Sequence, residues 1–268
     1  MIQVDALIIG AGPIGGYLAK KLCQAGHTVL MIEEHNQIGR PFQCAGLVNP
    51  GSMEKVGLES TALTRIWGAR IHGPGGTLVE IGSPERTRTW SVCRKLFDEA
   101  VVAQAISAGG SLMLNSTPKG TSISDEHVVT TISTDNTELT VKSKVVLGCD
   151  GAHSWVRRYH RMGRVRETMI GFQVDVTGYL HKEGKLDMYT GQQIAPGFFA
   201  WAIPTGTTTR IGTFSRPDLL GGKSSEETLA ELLNHKLWKD RFEGCSEVGR
   251  YCGPCLLYTS PSPRDDGV

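Results

Sequence analysis

The run Val4-Asp5-Ala6-Leu7-Ile8-Ile9 opens directly into Gly10-Ala11-Gly12-Pro13-Ile14-Gly15, and this junction restricts the fold more than any other feature. Residues 4–9 are too short and too β-branched for a helix, so they predict a buried strand. Residues 17–25 continue from the glycines as a helix, and Gly26 stops it as a C-terminal glycine should. Residues 27–33 predict a second strand. Strand, turn, helix and strand together take about thirty residues, the size of a βαβ nucleotide-binding half. Gly10 permits the sharp turn, Gly12 lets an anionic group approach the backbone, and Gly15 lets the helix pack on the strand. The helix begins at Ile14 and its neighbours, where unpaired N–H groups can meet a phosphate.

Glu33 ends the second strand, at the right distance to accept hydrogen bonds from ribose hydroxyls. Its charge would repel a 2′-phosphate, so FAD or NAD suits the turn better than NADP. A chance glycine turn would not bring strand, helix and acid together. A second junction has the same logic. Residues 145–149 predict another buried strand, which runs into Asp150-Gly151-Ala152-His153-Ser154-Trp155-Val156-Arg157-Arg158. A carboxylate at the C-terminal end of a parallel strand points into the crevice where ligands bind. This run resembles the Asp-Gly motif of FAD-dependent hydroxylases and their reductase relatives, which places Asp150 near a cofactor pyrophosphate.

Between the two junctions lies Gly39-Arg40-Pro41-Phe42-Gln43-Cys44-Ala45-Gly46-Leu47-Val48. Further on come Val92-Cys93-Arg94-Lys95-Leu96-Phe97-Asp98 and Pro196-Gly197-Phe198-Phe199-Ala200-Trp201-Ala202-Ile203-Pro204. With these, the chain resembles the geranylgeranyl reductase family of flavoproteins over roughly residues 4–254. The resemblance implies that the Cys44 loop, with Ala45 and Leu47, lies against the flavin, and that Cys44 is the candidate catalytic residue. A buried cysteine with no chemical role is an equal alternative. It also implies that Arg94 contacts FAD and that Phe199 and Trp201 line a substrate cavity. Strand alternation puts Phe199 and Trp201 on one face and Phe198 and Ala200 on the other. Ala45 stands where glycine is commoner in the family. The family also carries a later Gly-Asp-Ala motif, and this chain has no Gly-Asp pair. That implies a C-terminally truncated sequence.

The expected fold class is α/β: an FAD-binding, Rossmann-like parallel sheet with an interleaved, mainly antiparallel substrate domain, as in hydroxylase-like flavoproteins. Residues 1–50 and 90–165 are assigned to the FAD domain, residues 51–89 and 166–250 to the substrate domain. A hairpin is expected over 65–81, a helix over 95–108, paired strands over 128–133 and 138–142, and a helix over 225–239. Residues 255–268 carry no apolar period and predict a non-native or unstructured tail. Cys252 and Cys255 spell a dithiol motif without the helix such a motif needs, so their spacing is read as coincidence. Arg157, Arg158, Arg161, Arg164 and Arg166 form a basic run that fits a solvated face better than a phosphate site.

Composition bounds the rest. The 268 residues are 40% hydrophobic and 21% charged, with a net charge of +1. That balance gives no bulk attraction for nucleic acid. No run of about 18 apolar residues predicts a membrane span. Seven scattered cysteines read as reduced thiols in a cytoplasmic protein, with a peripheral membrane contact allowed. No spacing of histidines predicts a metal. The expected activity is FAD-dependent reduction of isoprenoid C=C bonds in a lipid or lipid precursor. The electrons would come from NAD(P)H or reduced ferredoxin, the latter through an electron-carrier protein. An FAD-dependent aromatic hydroxylase and a non-catalytic dinucleotide-binding module are the alternatives.

Overall fold

The computed structural model describes residues 1–258 except Gln43, Asn136, Arg164 and Arg166. The chain begins with β1 (Ile2–Ile9), α1 (Pro13–Gln24), β2 (Val29–Ile32), β3 (Leu47–Val48) and α2 (Pro50–Val56). Next come β4 (Ala62–Ile66), β5 (Gly68–His72), β6 (Leu78–Gly82), β7 (Thr89–Val92) and α3 (Arg94–Ser107). They are followed by β8 (Ser111–Met113), β9 (Ser116–Ile123), β10 (Val128–Thr134), β11 (Thr137–Gly148) and α4 (Trp155–Tyr159). The last are β12 (Glu167–Thr177), β13 (Lys185–Tyr189), β14 (Ala200–Thr205), β15 (Thr208–Ser215), α5 (Ser225–Leu233) and β16 (Ser246–Tyr258).

These elements divide into two units, Met1–Pro41 with Arg94–Arg164, and Phe42–Cys93 with Val165–Val268. The first boundaries fall at Pro41 and Arg94 rather than at 50 and 90, so Cys44, Ala45 and Leu47 belong to the second unit.

The first unit is a six-stranded sheet in the order β8-β2-β1-β11-β10-β9. Its first four strands run parallel and the β11-β10-β9 meander is antiparallel. Residues of β1 alternate between two apolar layers, as the period of a strand requires. Ala6 and Ile8 pack with Ala19, Val102 and Ala105 of the helices, while Leu7 and Ile9 pack with Ile132, Val141 and Val156. Burial on both faces explains why β1 reads as a continuous apolar run. One expectation fails here: residues 138–142 and 145–149 are not two strands. Residues 138–148 belong to the single long β11, which pairs with β10 as far as Ser143 and with β1 from Val141 on. Lys142, Ser143 and Lys144 look like a break but continue the strand, and Lys144 reaches the Asp5 carboxylate at 2.7 Å. Nor is the second half fully buried, since Val145 is exposed.

The second unit holds a seven-stranded sheet, β16-β12-β15-β14-β13-β5-β6, and a three-stranded one, β3-β7-β4. The large sheet is antiparallel except where β13 meets β5. One of its faces carries Val174, Val176, Tyr189, Ala200, Ala202 and Ile211 and is covered by Leu229 and Leu232 of α5. Helix α5 starts with a capping box, in which Ser224 Oγ accepts the Glu227 N–H at 3.1 Å and Glu227 accepts the Ser224 N–H at 2.6 Å. It ends at Leu233, short of the expected 239, because the chain turns there to bury Trp238 and Phe242 in the same layer. Strand β16 runs to Tyr258 beside β12, so residues 255–258 of the expected tail are strand. Cys255-Leu256-Leu257-Tyr258 is apolar, unlike the proline-rich stretch after it, and pairs with β12. Residues 259–268 of that tail lie outside the described residues. Cys252 and Cys255 both fall in β16, away from any helix start.

Candidate functional site

The candidate dinucleotide site is built at the C-terminal ends of β1, β2 and β11, all within the first unit. The chain leaves β1 at Gly10 with φ +96°, a conformation that L side chains avoid. A Cβ there would lie 2.5 Å from the Cys149 carbonyl oxygen. A Cβ on Gly15 would lie 2.0 Å from the Gly10 carbonyl oxygen, so only glycine lets α1 come this close to the turn. Gly12 differs from both. Its backbone is extended, and a Cβ would meet nothing within 4 Å. That open space lies at the start of α1, where no side chain caps the helix and Pro13 occupies the first turn. The leading N–H groups of a helix have no partner within it, so this end presents donors and a partial positive charge to an anion. Ile14, in the same turn, is exposed.

Glu33 follows β2 and turns back onto the glycine loop. One carboxylate oxygen accepts the Ala11 N–H at 3.0 Å, and the other accepts the His35 N–H at 3.2 Å and faces His35 Nδ1 at 2.6 Å. Glu33, Glu34 and His35 bring their ligand atoms within 4.8 Å of one another. The shortest of those approaches is the Glu33–His35 hydrogen bond itself. Asp150 follows β11 and accepts the Val156 N–H at 3.0 Å, while Ser154 accepts the Arg157 N–H, so both side chains pin α4. Between these groups is a cavity of about 360 Å³, bordered by Gly12, Glu33, Thr117, Asp150, Trp155 and Arg158. Burial and the neighbouring Asp150 charge push the Cys149 thiol up, which keeps it protonated beside this cavity.

Arg94 does not border the cavity. It opens α3 and holds Asp98 in a two-pronged pair, Nε at 2.8 Å and Nη2 at 3.0 Å. Burial raises the Asp98 carboxyl even against that partner. Of the basic run, Arg158 reaches the cavity rim, Arg157 donates to the Gly163 carbonyl and Arg161 is exposed. Arg164 and Arg166 lie outside the described residues.

The remaining expected site residues are in the second unit. Cys44 is half-buried, and its sulfur accepts the Gly46 N–H at 3.4 Å. Leu47 begins β3 and pairs with Ser91 of β7. Ala45 packs on an apolar layer formed by Ile66, Ala69, Leu186, Trp201 and Ile203. Trp201 is only 3% exposed, with Phe199 and Phe214 ringed around it at 6.3 and 4.9 Å between centroids. Its Nε1 is buried without a hydrogen-bond partner.

Two features went unseen in the sequence. Thr117 and Pro118 reach the cavity only through the pairing of β9 with β10, which no local motif announces. The second unit also buries a charged cluster. Asp187, fully enclosed, meets Arg70 at 2.7 Å, His72 at 2.6 Å, Tyr179 at 2.9 Å and Arg241 at 3.2 Å. A charged residue alternating with Leu186 and Met188 was its only signal.

An uncapped helix start, an open approach at Gly12 and a carboxylate on the next strand form a donor and acceptor set that fits a dinucleotide. Gly10, Gly12, Gly15, Glu33 and Asp150 come together in that set. Comparison with known proteins agrees with the chemistry. The FAD binding domain family matches residues 3–211. A digeranylgeranylglycerophospholipid reductase of Methanosphaera stadtmanae is 29% identical over 92% of this chain and 62% of its own length. One from Methanosarcina acetivorans is 31% identical over 75% of this chain and 52% of its own length. The chain thus spans about half to three-fifths of these curated relatives. A geranylgeranyl bacteriochlorophyll reductase-like protein of Thermoplasma acidophilum superposes with a TM-score of 0.84 at 22% identity, covering 96% of this chain and 67% of that one. The flavin-dependent brominase Bmp2 superposes at 0.76 with 20% identity, covering 94% and 67%. At these identities the two structures establish a shared fold. With the family match over most of its length and a site of the right chemistry, the chain belongs to the FAD binding domain family.

Proposed function

We propose that this chain is part of an FAD-dependent reductase that saturates isoprenoid C=C bonds of a lipid or lipid precursor. The observation that carries the reading is the extent of the similarity: the Methanosphaera reductase aligns over 92% of the chain. The hydroxylase alternative rests on a shared fold alone: p-nitrophenol 4-monooxygenase of Pseudomonas putida covers 95% of the chain at 17% identity. When bound, FAD supplies hydride chemistry that no side chain can supply. The chain's own residues bind, orient and exclude water. The start of α1 and Gly12 would receive the pyrophosphate, Glu33 the ribose hydroxyls, and Asp150 would border the same groups. Arg94, oriented by Asp98, would add a contact to FAD. Cys44, with Ala45 and Leu47, would lie against the flavin. Phe199 and Trp201 would give the isoprenoid an apolar wall, and Trp201 Nε1 remains able to donate to a polar group there.

Electrons would come from NAD(P)H or from reduced ferredoxin. No described helix is long and apolar enough to cross a membrane. A lipid substrate would be met by peripheral contact, from the cytoplasm. The test is to incubate the full-length protein, loaded with FAD and reduced by dithionite, with a geranylgeranyl ether lipid. Mass spectrometry should find pairs of hydrogens added to the lipid. A protein that holds FAD, accepts electrons and leaves the lipid mass unchanged would overturn the reading.

A further inference from the structure

The second face of the large sheet carries polar groups that its apolar layer does not require. Along β12 and β15, Val174, Val176 and Ile211 point to the α5 layer. Gln173, Asp175 and Arg210 alternate with them and therefore share the opposite face. All three are buried or nearly so, with Arg210 only 4% exposed. Burying an arginine and a carboxylate is costly unless the geometry satisfies both, and an apolar pair would fill the same space more cheaply. Arg210 lies across from Asp175 in the strand register and binds it through Nε at 2.8 Å and Nη2 at 3.3 Å. That leaves Nη1, which donates to the Ala45 carbonyl at 2.8 Å. The guanidinium also lies over the Phe42 ring, 4.5 Å from its centroid. Two positions along β12, Gln173 donates through Nε2 to the Cys44 carbonyl at 3.3 Å. On the far side of the loop, the Gly46 carbonyl accepts the Val92 N–H at 2.8 Å.

We propose that Arg210, oriented by Asp175 and aided by Gln173, is a positioning residue that fixes the backbone of the Cys44 loop. Three successive carbonyls, of Cys44, Ala45 and Gly46, are each held by a donor from a different strand. The loop's described residues have no regular structure before β3, so these bonds, with Phe42 stacked on the guanidinium, determine where the Cys44 thiol sits. The forked shape of arginine suits this task. Two of its nitrogens serve Asp175 while the third reaches the loop, which a lysine ammonium cannot do. The importance of the clamp for catalysis rests on the reading that Cys44 faces the flavin; its existence does not.

The test uses alkylation of the folded chain by iodoacetamide, with each cysteine followed by peptide mass spectrometry. Cys245, half-buried in the same unit, is the internal control. Arg210→Lys keeps the charge opposite Asp175 and drops the bond to Ala45. Gln173→Leu drops the bond to Cys44 and leaves Arg210 in place. In both variants the ratio of Cys44 to Cys245 alkylation should rise about tenfold, equivalent to about 1.4 kcal/mol, while the melting temperature of Arg210→Lys stays near wild type. A ratio unchanged in both variants would overturn the clamp. So would parallel acceleration of Cys44 and Cys245, which signals general loosening. Turnover of a lipid substrate, measured separately, tests the reading of Cys44 and leaves the alkylation result standing.

Discussion

Replacing Asp187 by alanine should unfold the second unit at far lower denaturant than wild type. The carboxylate is fully enclosed and has four partners, Arg70, His72, Tyr179 and Arg241. Removing one member of a buried ion pair typically costs about 3–5 kcal/mol, because the other charge stays behind. Here the two arginines differ. Arg241 has a side chain 27% exposed and can turn towards water, whereas Arg70 is 13% exposed and its Nε already lacks a partner. The expected loss is therefore in the lower part of the range, about 3–4 kcal/mol. With a urea dependence of about 2 kcal/mol per molar, the midpoint should fall by about 1.5–2 M. Tryptophan fluorescence suits the assay because Trp67, Trp90, Trp201 and Trp238 are in the second unit and only Trp155 is in the first. A shift below about 0.5 M would refute the reasoning, since it would mean that the arginines find solvent without cost. A pH series gives an independent check. Burial by itself raises the Asp187 carboxyl, but His72, Arg70 and Arg241 together hold it below the ordinary value. Its stabilisation is thus present above the unfolded carboxylate pKa of about 3.9 and disappears as pH falls through the lower folded value. The gap between wild type and Asp187→Asn should be constant from neutral pH to about 5 and close only in stronger acid.

Glu33→Ala removes the acceptor of the Ala11 N–H along with the charge offered to the ribose. FAD binding to the full-length protein should weaken by about 1.5–3 kcal/mol, or about 10–150-fold in a calorimetric titration; an unchanged dissociation constant would remove Glu33 from the site. Gly15→Ala puts a methyl group 2.0 Å from the Gly10 carbonyl oxygen, so α1 must shift. The variant should lose about 1–3 kcal/mol of stability and hold less flavin per protein by absorbance, whereas wild-type values of both would mean that the turn yields easily. Burial, partly offset by the Asp187 charge, lowers the His181 pKa from 6.5 to about 4. The unfolded chain then takes up a proton before the folded one does, so stability should fall as pH drops from about 6.5 to about 4 and level off below, by at most about 3 kcal/mol. Urea midpoints of His181→Gln should lack that slope, and an equal slope in both proteins would assign it to other groups.

The parts legible in the sequence are those in which a few adjacent residues determine the geometry. Gly10, Gly12 and Gly15 stand on one turn, and the steric reason for each glycine can be stated before any coordinate is known. Glu33 is legible because a helix and a strand of ordinary length fix its distance from that turn. Asp150 is legible because β11 is parallel to β1, which puts its end beside theirs. Where the reading fails, a local cue was outweighed by pairing. Lys142-Ser143-Lys144 looks polar enough to end a strand, yet β10 pairs as far as Ser143 and β1 pairs on both sides of Lys144. Residues 255–258 were read with the polar, proline-rich stretch that follows them, yet β12 offers them an edge.

The polar faces of the second unit illustrate the same limit more sharply. Asp175 and Arg210 are 35 residues apart, and each looks like an ordinary solvent-facing position in an alternating strand. Alternation alone states which residues share a face and leaves open whether that face meets water or protein. Around these residues both faces of the sheet are covered: α5 covers the one with Ile211, and the Cys44 loop lies on the one with Arg210. A charged residue on a covered face must find a partner or unfold the sheet, and this explains why Asp175 and the Ala45 carbonyl both converge on Arg210. The same rule on the opposite face explains why Asp187 gathers two arginines. Both clusters follow from one physical demand, the neutralisation of charge in the interior strands of the sheet, where both faces are covered. The Arg210 cluster, unlike that of Asp187, also directs a donor to the loop that carries Cys44.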